Sequence, residues 1–365
     1  MSIIIFLIVL AALVFVHELG HFLAAKKSGI RVDEFGLGFP PKLWSKKVGE
    51  TEYSLNLIPF GGFVKIFGEN PDEESISGPE SARSFVNKPR PIQAIVLVAG
   101  IVFNFLFAWL LISFSFMIGV AASFADYSQY ASRIENVALT VTHVSPQSPA
   151  EAAGIKAGDA ITRVNDLTGE ELTVEAVQDV ISQSAGAPIE LEYARKEETF
   201  SKIIEAKEGV VEDKLAIGIG MDRAGILSLP IHLALWEGGK LTIYMIKAVA
   251  VGLYDFIMSA FVGDADFSDV SGPVGIVGLV GDATRLGFTY LLMFTAIISI
   301  NLGVINLVPF PALDGGRLLF VLIESIKRGP INPRIANTIN AVGFALLLLL
   351  MFVVTYKDIT KLFVN

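Results

Sequence analysis

Four stretches of the chain stay apolar long enough to cross a hydrocarbon core: Ser2 to about Ala25, Ile92 to Val120, Phe288 to Val308, and Ile335 to Tyr356. None contains a Lys or Arg. The first lacks a basic residue ahead of its apolar core and carries HELGH where a leader would be cut, so it is expected to persist as a helix. Between the first two stretches, Gly29 to Phe67 alternates Gly, aromatic and β-branched residues, which predicts short strands and turns. Strands at membrane depth must hide their backbone in protein or in a wet cavity, so this β element either walls an aqueous pocket or forms an ordinary cytoplasmic hairpin. Asn70 to Asn87 is polar and turn-rich and reads as a mobile loop. Trp236 to Phe261 is apolar on one face, with Glu237, Lys240, Lys247 and Asp255 scattered through it. That pattern predicts an amphipathic helix along the outer interface, with a fifth span as the alternative. Ser271 to Gly278 (SGPVGIVG) reads as a turn into the third span.

The segment between spans two and three is soluble in character. Thr140 to Ile161 (TVTHVSPQSPAEAAGIKAGDAI) passes from strand through a Pro-Ser turn and a short Ala-rich helix into the next strand. Ile161 to Val164, Ile189 to Tyr193 and Ser201 to Glu205 follow as strands, and Val174 to Ser182 as a helix. The succession resembles a bacterial-type PDZ domain. The resemblance implies a peptide-binding strand late in the order, with Ala216 to Met221 as the candidate groove edge.

Basic residues orient these pieces. Lys26, Lys27, Arg31, Lys42, Lys46, Lys47, Lys65, Arg83, Lys88 and Arg90 crowd the first connection, which is therefore expected in the cytoplasm. Arg317, Lys327, Arg328 and Arg334 fall on the same side in a four-span arrangement. The PDZ segment and both chain ends are then extracytoplasmic. Hydrophobic residues make up 53% of 365 and charged residues 18%, too apolar for a soluble enzyme of this size. A net charge of −9 without a long basic run argues against nucleic acid as a partner. With no cysteine, thiolate ligands and a cysteine nucleophile are excluded.

Chemistry is concentrated in the first span. His17 and His21 lie about 40° apart around a helix, so both imidazoles can reach one ion, with Glu18 beside them to move a proton. Ionisable groups within a spanning segment are costly unless paired or metal-bound. Two neutral imidazoles and one further ligand hold zinc in hydrolases of this type and leave a position open for water. Asp314 in NLVPFPALDGGR fits as that further ligand, because Pro309 and Pro311 break the third span and Gly315-Gly316 permit a tight turn. Capping the following helix is its alternative role. His143 and His232 have no partner at ligand spacing and are assigned to packing or solvent contacts.

HELGH in the first span with NLVPFPALDGG after the third resembles the site-2 protease family of intramembrane zinc metalloproteases, in its bacterial RseP-like branch. The likeness extends over nearly the whole chain and takes in the β-like stretch, the PDZ segment and GPVGI. It implies that His17, His21 and Asp314 hold Zn2+, that Glu18 is the general base, and that Asn306 and Pro311 help hold the substrate backbone. It also implies a bacterial inner-membrane enzyme that cuts single-pass proteins, anti-sigma factors or signal-peptide remnants among them, with a PDZ domain that either engages a peptide or protein tail or excludes proteins with bulky outer domains. Two departures stand out: a single PDZ domain where tandem domains are usual in that branch, and FGLGFP at the family's Gly-rich β motif.

The expected fold is thus a polytopic α-helical membrane protein with four transmembrane helices, a membrane-associated β hairpin or sheet after the first, and an inserted α+β PDZ domain. Residues 1–121 form the first membrane part, with its β region at 29–67. Residues 122–226 form the PDZ domain, 227–287 the interfacial helix and linker, and 288–365 the second membrane part. A non-catalytic PDZ adaptor with a structural metal site is the competing reading. A metal transporter is weaker, because only the third span is clearly broken.

Overall fold

Nothing in the opening apolar run stops a helix before Gly29, and α1 spans Ser2–Lys27. Gly29 takes φ +67°, its N–H bonds Lys26 O, and the N–H of Ile30 bonds Ala25 O, a Schellman stop that turns the chain sharply. The structure, a computed structural model, describes residues 1–195, 198–211, 214–264, 270–329 and 331–364. The chain divides into two units, Met1–Ser115 with Ile231–Asn365, and Phe116–Pro230.

In the first unit β1 (Val32–Val48) and β2 (Thr51–Ile66) follow α1. Their register breaks repeatedly. Phe35 is partnered by Val64 and also by Tyr53, Gly36 by Phe63 and by Ser54, and Trp44 by Leu55. Four short segments therefore lie side by side in the order 61–66, 32–39, 51–58, 42–48, as the Gly-punctuated sequence predicts. Phe35, Val64 and Ile66 are buried with Ala25, Ile30 and Val96, and Phe22 meets Phe35 edge-on at 5.3 Å. Leu43, Trp44, Leu57 and Ile58 are exposed.

The stretch expected to be mobile is instead tied down. The short helix α2 (Glu73–Ser77) has a reciprocal capping box between Asp72 and Ser75. Asn87 donates to the carbonyls of Ser75, Ile76 and Ser81. Next, α3 (Arg90–Ile118) runs antiparallel to α1, since His21 meets Val96 while His17 meets Asn104. Close approach requires small residues: a Cβ on Gly20 would stand 2.9 Å from Gly100 Cα.

The second unit contains β3 (Val120–Ser123), β4 (Ile134–Val144), α4 (Pro149–Ala152), β5 (Ala160–Val164), β6 (Leu167–Thr168) and α5 (Val174–Gln183). It continues with β7 (Pro188–Arg195), β8 (Glu198–Glu205), β9 (Lys207–Val211), β10 (Lys214–Ala216) and β11 (Ile219–Leu227). The main sheet runs β3-β11-β4-β5-β7-β8, with β6 on β5 and a separate β9-β10 pair. Strand alternation buries Ile189, Leu191 and Tyr193 of β7 against Val177 and Ile181 of α5. Thr173 caps α5 by accepting from Ala176 N–H. Each strand and helix predicted between 160 and 205 is present within a few residues of its expected bounds.

The remainder of the first unit is helical: α6 (Ile231–Val262), α7 (Pro273–Leu286), α8 (Phe288–Leu307), α9 (Asp314–Lys327) and α10 (Pro333–Val364). Among the described residues five helices, α1, α3, α6, α8 and α10, are long and apolar enough to cross a membrane, against the four spans expected. The addition is α6, whose charges are too sparse to interrupt an 18-residue apolar window. The expected turn at Ser271 to Gly278 is the start of α7. Pro273 suits a first helical turn that needs no N–H there, and Asp358 of α10 accepts from Gly275 N–H at 2.8 Å. That cap comes from 83 residues away, beyond any local pattern.

Candidate metal centre

α1 carries His17 and His21 on one face, both buried. Their Nε2 atoms are 3.2 Å apart. Asp314 Oδ2 lies 3.2 Å from His17 Nε2 and 3.3 Å from His21 Nε2. A tetrahedral ion with bonds of about 2.0 Å sets its ligands about 3.3 Å apart, so the three atoms have the spacing of three corners of such a site. No other cluster of three potential ligands occurs among the described residues. His143 and His232 are exposed and are not members of that cluster.

Three further observations fit a cation here. Asp314 Oδ2 is buried without a hydrogen-bond partner, a costly state for a carboxylate oxygen. His21 Nδ1 is 2.8 Å from Val96 O. A carbonyl only accepts, so Nδ1 carries the proton and Nε2 presents its lone pair to the centre. Finally, Gly100 on α3 leaves open the space beside both imidazoles, where a Cβ would stand 2.9 Å from His17 Cε1.

Local sequence explains how Asp314 arrives. α8 ends at Leu307, and Pro309 and Pro311 prevent it from continuing. The chain then folds back so closely that a Cβ on Gly315 would stand 2.6 Å from Leu307 C, and one on Gly316 2.7 Å from Phe310 C. Ala312 adopts φ +74°, unusual for a residue with a side chain. Its N–H bonds Asn340 Oδ1 of α10 at 3.3 Å. Pro311 rests on Gly343 of α10, where a Cβ would meet Pro311 O at 2.8 Å. α10 therefore buttresses the loop that presents Asp314. Asn306 sits half-buried on the last turn of α8.

Glu18 is half-buried beside the pair, near the edge segment 61–66. At Gly62 a Cβ would come within 3.6 Å of Glu18 Cγ. Sequence reading missed Asn104, Gly100, Asn340 and the ion pair between Arg317 and Glu69. Asn104 did leave a signal, as a lone amide within an apolar span. Arg317 left one too, three residues after Asp314 and hence on the same helix face. A cavity of about 460 Å³ opens beside this ion pair, lined by Glu69, Arg90, Arg317, Glu324 and Asn340 among others.

A bundle of apolar helices with a His-His-Asp cluster and an adjacent glutamate defines a membrane-embedded metallopeptidase. The family model "Peptidase family M50" matches residues 5–350, and the chain belongs to that family. A relative in Clostridium perfringens is 37% identical over 98% of both chains. Zinc metalloprotease RasP of Geobacillus kaustophilus is 31% identical, covering 99% of this chain and 98% of the relative. RasP of Shouchella clausii is 30% identical over 98% of each. Among solved structures, the PDZ domain of the SdrC-like protein from Listeria monocytogenes matches 23% of this chain and 86% of its own, at 20% identity and a TM-score of 0.21.

Proposed function

We propose that His17, His21 and Asp314 hold the zinc of this intramembrane metalloprotease and that Glu18 is its general base. The observation that carries the assignment is the convergence of three ligand atoms within 3.3 Å of one another, with the Glu18 carboxylate beside them. Bound there, zinc supplies Lewis acidity, lowering the pKa of water and polarising the scissile carbonyl. Glu18 takes the proton released from water and returns it to the departing amide nitrogen. Water enters from the cytoplasmic side, by way of the cavity at Arg317.

The substrate is the spanning segment of a single-pass membrane protein, with anti-sigma factors and signal-peptide remnants as the candidate classes. A helical peptide bond is shielded by its own hydrogen bonds, so the segment must be extended before it is cut. Segment 61–66 lies at the edge of the β element, and a strand added there passes Glu18 with its freed backbone groups satisfied. Asn306 and Pro311, at the end of α8 and in the loop before Asp314, hold the other side of that strand. In the second unit, a groove of about 620 Å³ runs between α5 and residues 215–221. β3 covers β11 only from Ala224 onward. The Ala216 to Met221 edge beside α5 suits an extended peptide or protein tail.

The PDZ unit and both chain ends are extracytoplasmic in this reading, with an even number of crossings. Ser2 lies against Gly281 of α7, and Asp358 near the end of α10 caps α7, so α7 sits at the outer end of the bundle. α6 also begins toward that end, where Trp109 Nε1 donates to Leu235 O at 2.9 Å. With only ten residues between Val262 and Pro273, α6 is read as staying on that side, along the outer interface.

Purified Glu18→Gln protein tests the assignment. It should retain zinc and lose cleavage of a model spanning peptide, and full activity in that variant would remove the base.

A further inference from the structure

We infer that Asn104 is the positioning residue for His17, its side-chain oxygen taking the Nδ1–H hydrogen bond that leaves His17 Nε2 free for the metal. The inference rests on the ligand assignment above. Asn104 is fully buried in α3, and its backbone carbonyl accepts from Ser299 Oγ of α8 at 2.8 Å, so the residue is fixed between two helices. Its amide nitrogen stands 3.0 Å from His17 Nδ1, while its amide oxygen is buried without a partner.

With the nitrogen facing His17, Nδ1 must accept, which puts the ring proton on Nε2. That proton would point into the space between His21 Nε2 and Asp314 Oδ2, where a ligand lone pair belongs. A half-turn of the amide about its Cβ–Cγ bond exchanges nitrogen and oxygen in nearly the same volume. Oδ1 then accepts from Nδ1–H, the orphaned oxygen gains its partner, and Nε2 presents a lone pair. His17 thereby takes the tautomer that Val96 O imposes on His21. Two different acceptors, a main-chain carbonyl and a side-chain amide, both on α3, orient the two imidazoles of α1. A lone amide in the apolar run Ile101 to Ile112 has its reason in this contact.

The test is zinc affinity, measured by chelator competition on detergent-solubilised full-length protein, for the wild type, Asn104→Leu, Asn104→Asp and Asp314→Asn. Leucine keeps the volume and removes the acceptor, so N104L should bind zinc about 10- to 100-fold more weakly. Aspartate can only accept, so N104D should stay within about threefold of the wild type. Co2+ loaded into N104D should give the wild-type absorption bands, which a merely structural role does not require. Wild-type affinity in N104L, or equal weakening in N104D and N104L, would overturn the inference. Should N104L not fold, N104D decides alone, retention supporting the inference and loss overturning it. Unchanged affinity in D314N would refute the ligand assignment instead, which separates the two failures.

Discussion

Gly100 stands directly over His17, so that a Cβ on the glycine would lie 2.9 Å from the Cε1 of the imidazole and closer still to His21. The opening proposed to receive an ion is thus made by a missing side chain on α3 as much as by the candidate ligands of α1. Gly100→Ala should push one or both rings off their present rotamers, because the backbone on each side is locked by close helix contact at Gly20. Zinc content at fixed free metal should fall about tenfold or more, as for other losses of ligand orientation. The second unit should stay folded. Metal analysis beside proteolytic protection of residues 116–230 checks both halves, and a fully loaded G100A protein would refute the account.

Asn340 reaches Asp314 indirectly, through Ala312. Its side-chain oxygen holds an N–H in a loop whose alanine sits at φ +74°, a conformation that costs on the order of 1 kcal/mol or more for a residue with a Cβ. Without that hydrogen bond the loop should relax and Asp314 lose its fixed position. Asn340→Leu should lower cleavage about 10- to 100-fold, with zinc affinity also reduced. Ala312→Gly removes the strain without touching Asn340 and should keep near-wild-type activity. Steady-state cleavage by the two variants is the measurement, and an inactive A312G with an active N340L would reverse the argument.

The tip of the β element should respond to pH. Glu50 accepts from Lys26 Nζ at 2.8 Å and from Arg83 Nη2 at 2.6 Å. The lysine and arginine hydrogen bonds hold its carboxyl below the usual glutamate range. A lowered pKa means that the tether is fully present above the ordinary glutamate value, about 4.3, and is lost as pH falls through the depressed one. Hydrogen exchange over residues 45–54, corrected for intrinsic rates, should therefore speed up below about pH 4. Glu50→Gln should be fast throughout. The same pH dependence in E50Q would assign the effect to another group.

Much of the site was legible because its parts obey local rules. HELGH carries its own geometry, since a four-residue spacing on any helix brings His17 and His21 together. The Pro-Gly punctuation around Asp314 marks a broken span, and the strands of the second unit follow from turns and alternation. What stayed hidden acts across long separations. Gly100 and Asn104 touch α1 from more than 75 residues away, Asn340 reaches Ala312 across 28, and Asp358 caps α7 from 83. Such contacts have no period along the chain. α6 was ambiguous for another reason: its length and composition suit both an interfacial helix and a span.

Gly62 ties the proposed substrate edge to Glu18. A Cβ there would stand 3.0 Å from Gly36 O, 3.1 Å from Val14 Cγ1 and 3.6 Å from Glu18 Cγ. The first two contacts leave no room, so Gly62→Val should force segment 61–66 away from α1. That movement would take the edge on which a substrate strand is proposed to add away from Glu18. The proposed zinc ligands lie on other elements, on α1 and at the start of α9, and should hold metal as before. G62V should therefore cleave about 100-fold more slowly or worse, in the range of losses for a misplaced catalytic group, while binding zinc within about threefold of the wild type. Paired metal and cleavage assays decide it. Loss of zinc in step with activity would mean that the edge supports the metal site itself, and unchanged cleavage would detach the edge from catalysis altogether.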